Sequence, residues 1–287
     1  MRTTGEFFIH KYIIQFEKFN EPIYLLPIGD VHKSSPMHSQ THWQDTLRWA
    51  EKKPRCYILG MGDYNDFGST SERLILGDKH LHDSSARTIE GLHLKQCLDF
   101  AKDLEFAKGR IVGMLGGNHY GEFQNGTNTD QKICELLECK YLGVNGFIRI
   151  AFRPRGRTNT TLAIDIFAHH GRGGGRTQGG SMNPVEQMAR TAEADIYLMG
   201  DNHQKAVSHI SRLRLSEGGG NMRVTHRKVL LARTGSFLKG YEEGCKSYIV
   251  DGLLNPSDIG VVKIELTPRR MRENGDERIW MDIHASI

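Results

Sequence analysis

The sequence predicts an α/β core extended by antiparallel sheet. Short apolar runs of strand length alternate with helical periodicities up to about residue 200, while only strand and turn patterns follow Lys205. The 287 residues show no internal repeat and no domain linker, so one domain spans 1–287, with a strand-rich part at 204–287.

Each element has its own signal. FFIHKYIIQF (7–16) alternates as a half-buried strand, and IYLLPI (23–28) is a buried one. Trp43, Leu47 and Ala50 place a helix over Ser39–Lys53. CYILGMG (56–62) and IVGMLGG (111–117) are again buried strands. Between them a long helix over Ser85–Lys108 is expected to bury Leu94, Cys97, Leu98 and Ala101. Ile133, Leu136 and Leu137 mark a helix near Asn128–Glu138. Strands follow at 147–152 and 161–170. Asn183-Pro184-Val185-Glu186 carries the cap, first-turn proline and returning glutamate of a helix start. IYLMG (196–200) is the next buried strand, and further strands are expected at 205–215, 222–233, 246–251, 261–267 and 278–286.

Composition excludes several classes. With 38% hydrophobic and 25% charged residues the chain is neither disordered nor fibrous. No apolar run approaches the ~18 residues of a membrane helix, and the charged N-terminus lacks the apolar centre of a signal peptide. Five cysteines without a Cys-x-x-Cys pair argue against a disulfide framework, so the cytoplasm is the expected compartment. The net charge of +4 is uneven: residues 149–239 hold 15 Lys+Arg against 6 Asp+Glu, a local +9 that leaves −5 for the rest.

Five strand ends are polar in the same way. They deliver Gly29-Asp30-Val31-His32, Gly62-Asp63-Tyr64-Asn65-Asp66, Gly116-Gly117-Asn118-His119, His169-His170-Gly171 and Gly200-Asp201-Asn202-His203. A single Gly-Asp after a strand is usually a turn, and a single histidine is usually a cap. Five together are different, because carboxylates gathered at one sheet edge are costly unless cations neutralise them. In α/β folds that edge is where ligands bind. Oxygen and nitrogen donors without thiolate suit Mn first, with Fe, Zn or Mg as alternatives. Asp30, His32, Asp63, Asn118, one of His169 and His170, Asp201 and His203 are too many for one ion, which points to two divalent metals bridged by a carboxylate and a water or hydroxide.

This ordered series (Asp-x-His, Gly-Asp-x-x-Asp, Gly-Asn-His, His, Gly-x-x-His) resembles the calcineurin-like metallophosphoesterase superfamily over Asp30–His203, about 60% of the chain. The resemblance implies a two-sheet sandwich flanked by helices, a four-layer α/β/β/α arrangement, with a dinuclear site at the strand ends. It implies one metal on Asp30, His32, Asp63 and His203, and a second on Asp63, Asn118 and a histidine of the 169/170 pair. His169 is taken as that ligand because it comes first after the strand, with His170 behind it. His119 matches the family's catalytic histidine and Asp66 the carboxylate that orients it.

Three departures stand out. Asp201 occupies the place of a usual histidine, which tilts preference toward Mn or Mg or leaves the second metal loosely held. Tyr120 follows Gly-Asn-His in place of an acid. Phe67 stands where the phosphoprotein phosphatases keep a phosphate-binding arginine, which argues against a protein Ser/Thr phosphatase.

The substrate is less legible. GRGGGRTQGG (171–180) either cradles phosphate, with Arg172 and Arg176 beside His170 at the substrate, or merely links. Arg153, Arg155, Arg157, Arg212, Arg214, Arg223, Arg227, Lys228 and Arg233 would concentrate a polyanion if they faced the metals. The reading is therefore a phosphodiesterase or nuclease acting in line through the bridging hydroxide, on a phosphoester that includes nucleic acid. The alternatives are a phosphomonoesterase or nucleotide pyrophosphatase, and a protein-binding scaffold that has lost catalysis. The retained His119 speaks for the enzyme. Residues 68–91, with Lys79, His80 and His82, form either a lid or a surface excursion.

Overall fold

A computed structural model of the chain describes residues 7–68, 82–156, 158–159, 162–171, 175, 177–218, 221–244, 248–253, 255–273 and 276–287. The strands are β1 (Phe7–Phe16), β2 (Ile23–Ile28), β3 (Cys56–Gly60), β4 (Ile111–Met114), β5 (Asn145–Pro154), β6 (Leu162–His169), β7 (Ile196–Met199), β8 (Lys205–Gly218), β9 (Asn221–Ser236), β10 (Gly260–Val261), β11 (Lys263–Glu273) and β12 (Asp276–Ser286). The helices are α1 (Gln40–Glu51), α2 (Asp83–Asp103), α3 (Thr129–Leu136), α4 (Gln178–Thr191) and the short α5 (Tyr248–Asp251).

Among the described residues the strands form two sheets. One runs β1-β5-β6-β7-β9-β10 with β8 on β9, and the other runs β12-β11-β2-β3-β4. Their inner faces mesh through Ile14, Ile148, Ile150, Ile166 and Leu230 from the first sheet, and Leu25, Leu59, Val112 and Leu266 from the second. The outer face of the second sheet packs Leu26, Ile28 and Ile58 against Trp43, Phe100 and Ile133 of α1, α2 and α3. The outer face of the first receives Val185, Met188 and Ala189 of α4 on Tyr197, Val229 and Leu231. The result is the expected α/β/β/α sandwich. Strands such as β2 read as unbroken apolar runs because both of their faces are covered.

Parallel pairing of β2, β3 and β4, and of β6, β7 and β9, points several carboxyl ends to one edge. The loops after these strands are knit together there. Asp30 N–H donates to the Gly62 carbonyl at 3.0 Å, and Val31 N–H to the Asp63 carbonyl at 2.8 Å.

Three elements differ from expectation. On α2 the buried stripe is His93, Cys97, Phe100 and Ala101, while Leu94 and Leu98 are 39% and 49% exposed. The stripe is rotated by one residue because it includes a histidine packed between Phe67 and Phe123, which apolar periodicity passes over. Helix α4 begins at Gln178, where Thr177 Oγ1 accepts from Gly180 N–H at 3.1 Å, so Pro184 lies inside the helix without a bond to the carbonyl four residues back. The strand expected at 246–251 is instead the single turn α5, within the described part of that range.

Among the described residues most of the basic stretch lies away from the strand-end edge, Arg233 excepted, while Arg157 is outside the described residues. β8 leaves that edge at Lys205, so Arg212 and Arg214, seven and nine residues along, stand about 23 and 30 Å farther out at ~3.3 Å per residue. Arg223 pairs opposite Ser216, farther still. Arg153 follows Phe152, which pairs with Leu162 at the end of β6 remote from His169. Arg227 is held by Asp195 and Glu193, and Arg155 by Glu17.

Candidate metal centre

Five strand-end turns build the site, and three of them have unusual backbone. Asp30, His32, Asp63, Asp201 and His203 all have positive φ, at 48°, 45°, 53°, 68° and 58°. Such left-handed non-glycine conformations cost about 1–3 kcal/mol each and persist where surroundings over-determine them. Asp30-Val31-His32 and Asp201-Asn202-His203 thus repeat one turn, one on each sheet. Glycines admit the crowding. A Cβ on Gly117 would stand 2.0 Å from Asp63 Oδ1, and one on Gly62, whose φ is +95°, 2.6 Å from His170 Nδ1.

These turns bring Asp30, His32, Asp63, His170, Asp201 and His203 into one buried cluster. His203 Nε2 lies 3.7 Å from Asp30 Oδ1, and His32 Nε2 lies 3.8 Å from Asp63 Oδ2. His170 Nε2 lies 3.3 Å from the same Asp63 oxygen and 3.8 Å from Asp201 Oδ1. Asp63 therefore stands between two donor groups. Its other oxygen accepts from the Asn118 and His119 N–H groups at 2.7 and 2.8 Å. Asn118 Nδ2 donates to Asp201 Oδ1 at 2.9 Å, and Asp201 N–H to Asp30 Oδ2 at 2.9 Å.

The two adjacent histidines are placed in the reverse of the expected order. His170 is the one in the cluster, with Nδ1 on the Met61 carbonyl at 2.7 Å. His169 turns to the outer face of its sheet, accepts from Gly171 N–H at 2.8 Å, and lines a shallow groove with Phe167, Pro184 and Met188. The alternation of β6 decides this: Ala168 faces the sandwich interior, so His169 faces outward, and the turn after the strand brings His170 back in. At 2% exposure His170 does not line a substrate surface. Arg172 and Arg176 lie outside the described residues, as do 69–81 of the expected lid; His82 caps α2, and 83–91 are helical.

The donor set fits divalent cations. Asp30 Oδ1, both ring nitrogens of His32 and His170 Nε2 are buried without a hydrogen-bond partner. Such atoms are costly unless something binds them. Asp30, His32 and His203, and separately Asp30, Asp63 and His170, present ligand atoms within 4.8 Å of one another.

Electrostatics follow the same geometry. Burial pushes the Asp30 carboxyl up to about 7, against the pull of His170. Burial also acts on Asp63, but His170, His32 and His119 outweigh it and hold that carboxyl well below the usual range. His170 is raised to about 10, because Asp63, Asp30 and Asp201 overcome its desolvation. Burial takes His203 down to about 3.

Beside the cluster His119 Nδ1 sits 2.7 Å from Asp66 Oδ1, and its ring centroid is 4.9 Å from that of His32. Burial alone would lower the imidazole, but the Asp66 bond and the Asp63 charge raise it. The His119 hydrogen bond, with the His32 ring 3.7 Å away, holds Asp66 well below the usual range.

Two residues have supporting roles that the sequence reading does not give them: Asp130, which it does not single out, and Arg233, which it counts only among the basic residues for a polyanion. Asp130, 2% exposed on α3, accepts from Gly117 N–H at 2.8 Å. Arg233, 0% exposed, donates from Nε to the Ser181 carbonyl at 2.8 Å and from Nη1 to the Gly200 carbonyl at 2.7 Å. Neither has a local signal, since one sits in a helix's first turn and the other in a basic run.

No family model matches the sequence, and no curated protein is similar to it. Among solved structures, vacuolar protein sorting 29 from Cryptosporidium parvum is similar at 12% identity over 94% of this chain and 100% of that one, with a TM-score of 0.36. Neither that identity nor that TM-score assigns a role to this chain.

Proposed function

We propose that the chain is a metal-dependent phosphohydrolase acting on phosphodiesters. The observation that carries this reading is the His119–Asp66 pair, 2.7 Å apart, set against a buried cluster of metal-type donors. Asp30, His32, Asp63 and His203 would hold one divalent cation, and Asp63, Asn118, His170 and Asp201 a second. Bound there, two such ions supply Lewis acidity toward a phosphoryl oxygen and acidify a water for attack at phosphorus.

The remaining chemistry belongs to this chain's residues. Asp66 accepts from His119 Nδ1, which fixes the ring and favours its cationic form, so a proton is held at Nε2. That proton is placed for the leaving alkoxide, a transfer worth about 10²–10⁴-fold. The Asn118 amide, tied to Asp201, orients that carboxylate within the cluster.

The charge around the site supports a diester over a monoester. Among the described residues Lys33 is committed to Asp103 and Lys205 to Asp258, and Arg233 is buried. A diester brings one negative charge at phosphorus and a monoester two, so fewer cations suffice. Arg212, Arg214 and Arg223 lie along β8 and β9 away from the cluster, so they add no argument for a nucleic acid at the site. Manganese-loaded protein is expected to cleave bis(p-nitrophenyl) phosphate faster than p-nitrophenyl phosphate. Cleavage of the monoester alone would overturn the substrate class, and cleavage of neither would favour a scaffold.

A further inference from the structure

The buried guanidinium of Arg233 has no place in the chemistry above. It enters from β9, beneath the turn that carries Asp201 and His203. Nη1 holds the carbonyl of Gly200, the residue before that turn, while Nε holds Ser181 in α4. Asn202 Nδ2, at the centre of the turn, reaches the Ser181 hydroxyl at 2.5 Å. The turn is thus fastened twice to one buried residue of α4, with Asp201 and His203 both in left-handed backbone. Burial lowers the guanidinium to about 10, and the charges of Asp201 and Asp30 offset that only in part. A wholly buried cation is costly unless it meets opposite charge. A cluster of two buried carboxylates, Asp30 and Asp63, with the largely covered Asp201 beside them is costly for the same reason.

We infer that Arg233 is a built-in counter-cation, a positioning residue that keeps the carboxylate cluster and the 200–203 turn assembled before any metal binds. This rests on the reading of the cluster as a metal site. Divalent ions then enter a preformed site, and folding does not depend on them. A methionine of similar length removes one buried charge and both donated bonds, leaving the cluster's carboxylates to its histidines and to metal. The stabilisation by bound metal should then grow, because a ligand stabilises only the state that binds it.

The test is thermal unfolding of the full chain with EDTA or with saturating Mn²⁺, for wild type, Arg233→Lys and Arg233→Met. Arg233→Met is expected to show a manganese-induced rise in Tm about twice that of wild type, and Arg233→Lys a rise close to wild type. Equal destabilisation of Arg233→Met with and without manganese would overturn the inference and leave a packing role alone. If manganese moved no Tm, wild type included, the metal reading itself would fall and this inference with it. If Arg233→Met did not fold in either condition, amide exchange of wild type in EDTA decides. Retained protection at 201–203 supports a preformed site, and protection that appears only with manganese refutes it.

Discussion

His170 Nε2 stands 3.3 Å from Asp63 Oδ2, although His169, one residue earlier, points out of the sandwich. His170→Ala is therefore expected to lose about one equivalent of metal, whereas His169→Ala keeps both. Metal content after gel filtration, measured by plasma mass spectrometry, checks this. Loss of metal in the His169 variant alone would reverse the assignment.

The Asp66 carboxylate lies 2.7 Å from His119 and shares a possible ligand group with His32 and His119, separate from the two groups that contain Asp30. Asp66→Asn should lower diester turnover about 10–100-fold while metal content stays unchanged. Parallel rate and metal measurements separate the two. A fall in metal content matching the fall in rate would make Asp66 a ligand in its own right.

A methyl group at Gly117 would collide with both the carboxylate and the backbone of Asp63. Gly117→Ala should cost about 1–3 kcal/mol, a fall of roughly 2–5 °C in Tm for a chain of this length, together with weakened metal binding. Calorimetry with and without manganese reads both effects. An unchanged Tm would mean that the loop has slack the structure does not show.

The register of α2 is tested by stability alone. Phe100, fully buried against Trp43 and Tyr64, should cost about 3–5 kcal/mol when cut to alanine. Leu98, half exposed, should cost no more than about 0.5 kcal/mol. Urea denaturation of the two variants would expose a wrong register by inverting the order.

Much of this architecture was legible because it rests on local signals. The alternation of β1, the apolar runs of β2, β3 and β4, and the stripe Trp43–Leu47–Ala50 each declare an element and the face it buries. The polar strand ends declared the site for a similar reason, since Asp30, His32, Asp63 and His203 each follow a buried strand directly. What stayed hidden depends on the path of the chain after a strand. The choice between His169 and His170 turns on where β6 stops alternating. The start of α4 depended on a Thr177 cap that the Asn-Pro-x-Glu pattern outcompeted. The direction of the basic ribbon is a tertiary fact: composition counted +9 without showing that Arg212, Arg214 and Arg223 run away from the cluster along β8 and β9. Arg233 belongs to the same run by composition, yet among the described residues it alone turns inward and is wholly buried at the site.

The central claim is that the strand-end cluster is a metal centre that hydrolyses phosphodiesters with His119 as the proton donor. The most direct test is the initial rate of bis(p-nitrophenyl) phosphate hydrolysis as manganese is titrated into metal-stripped wild type and His119→Ala. The expected result is a rate that rises to saturation near two equivalents in wild type, with a rate about 10²–10⁴-fold lower in the variant at equal metal content. A wild-type rate indistinguishable from that of His119→Ala at saturating manganese would contradict the account.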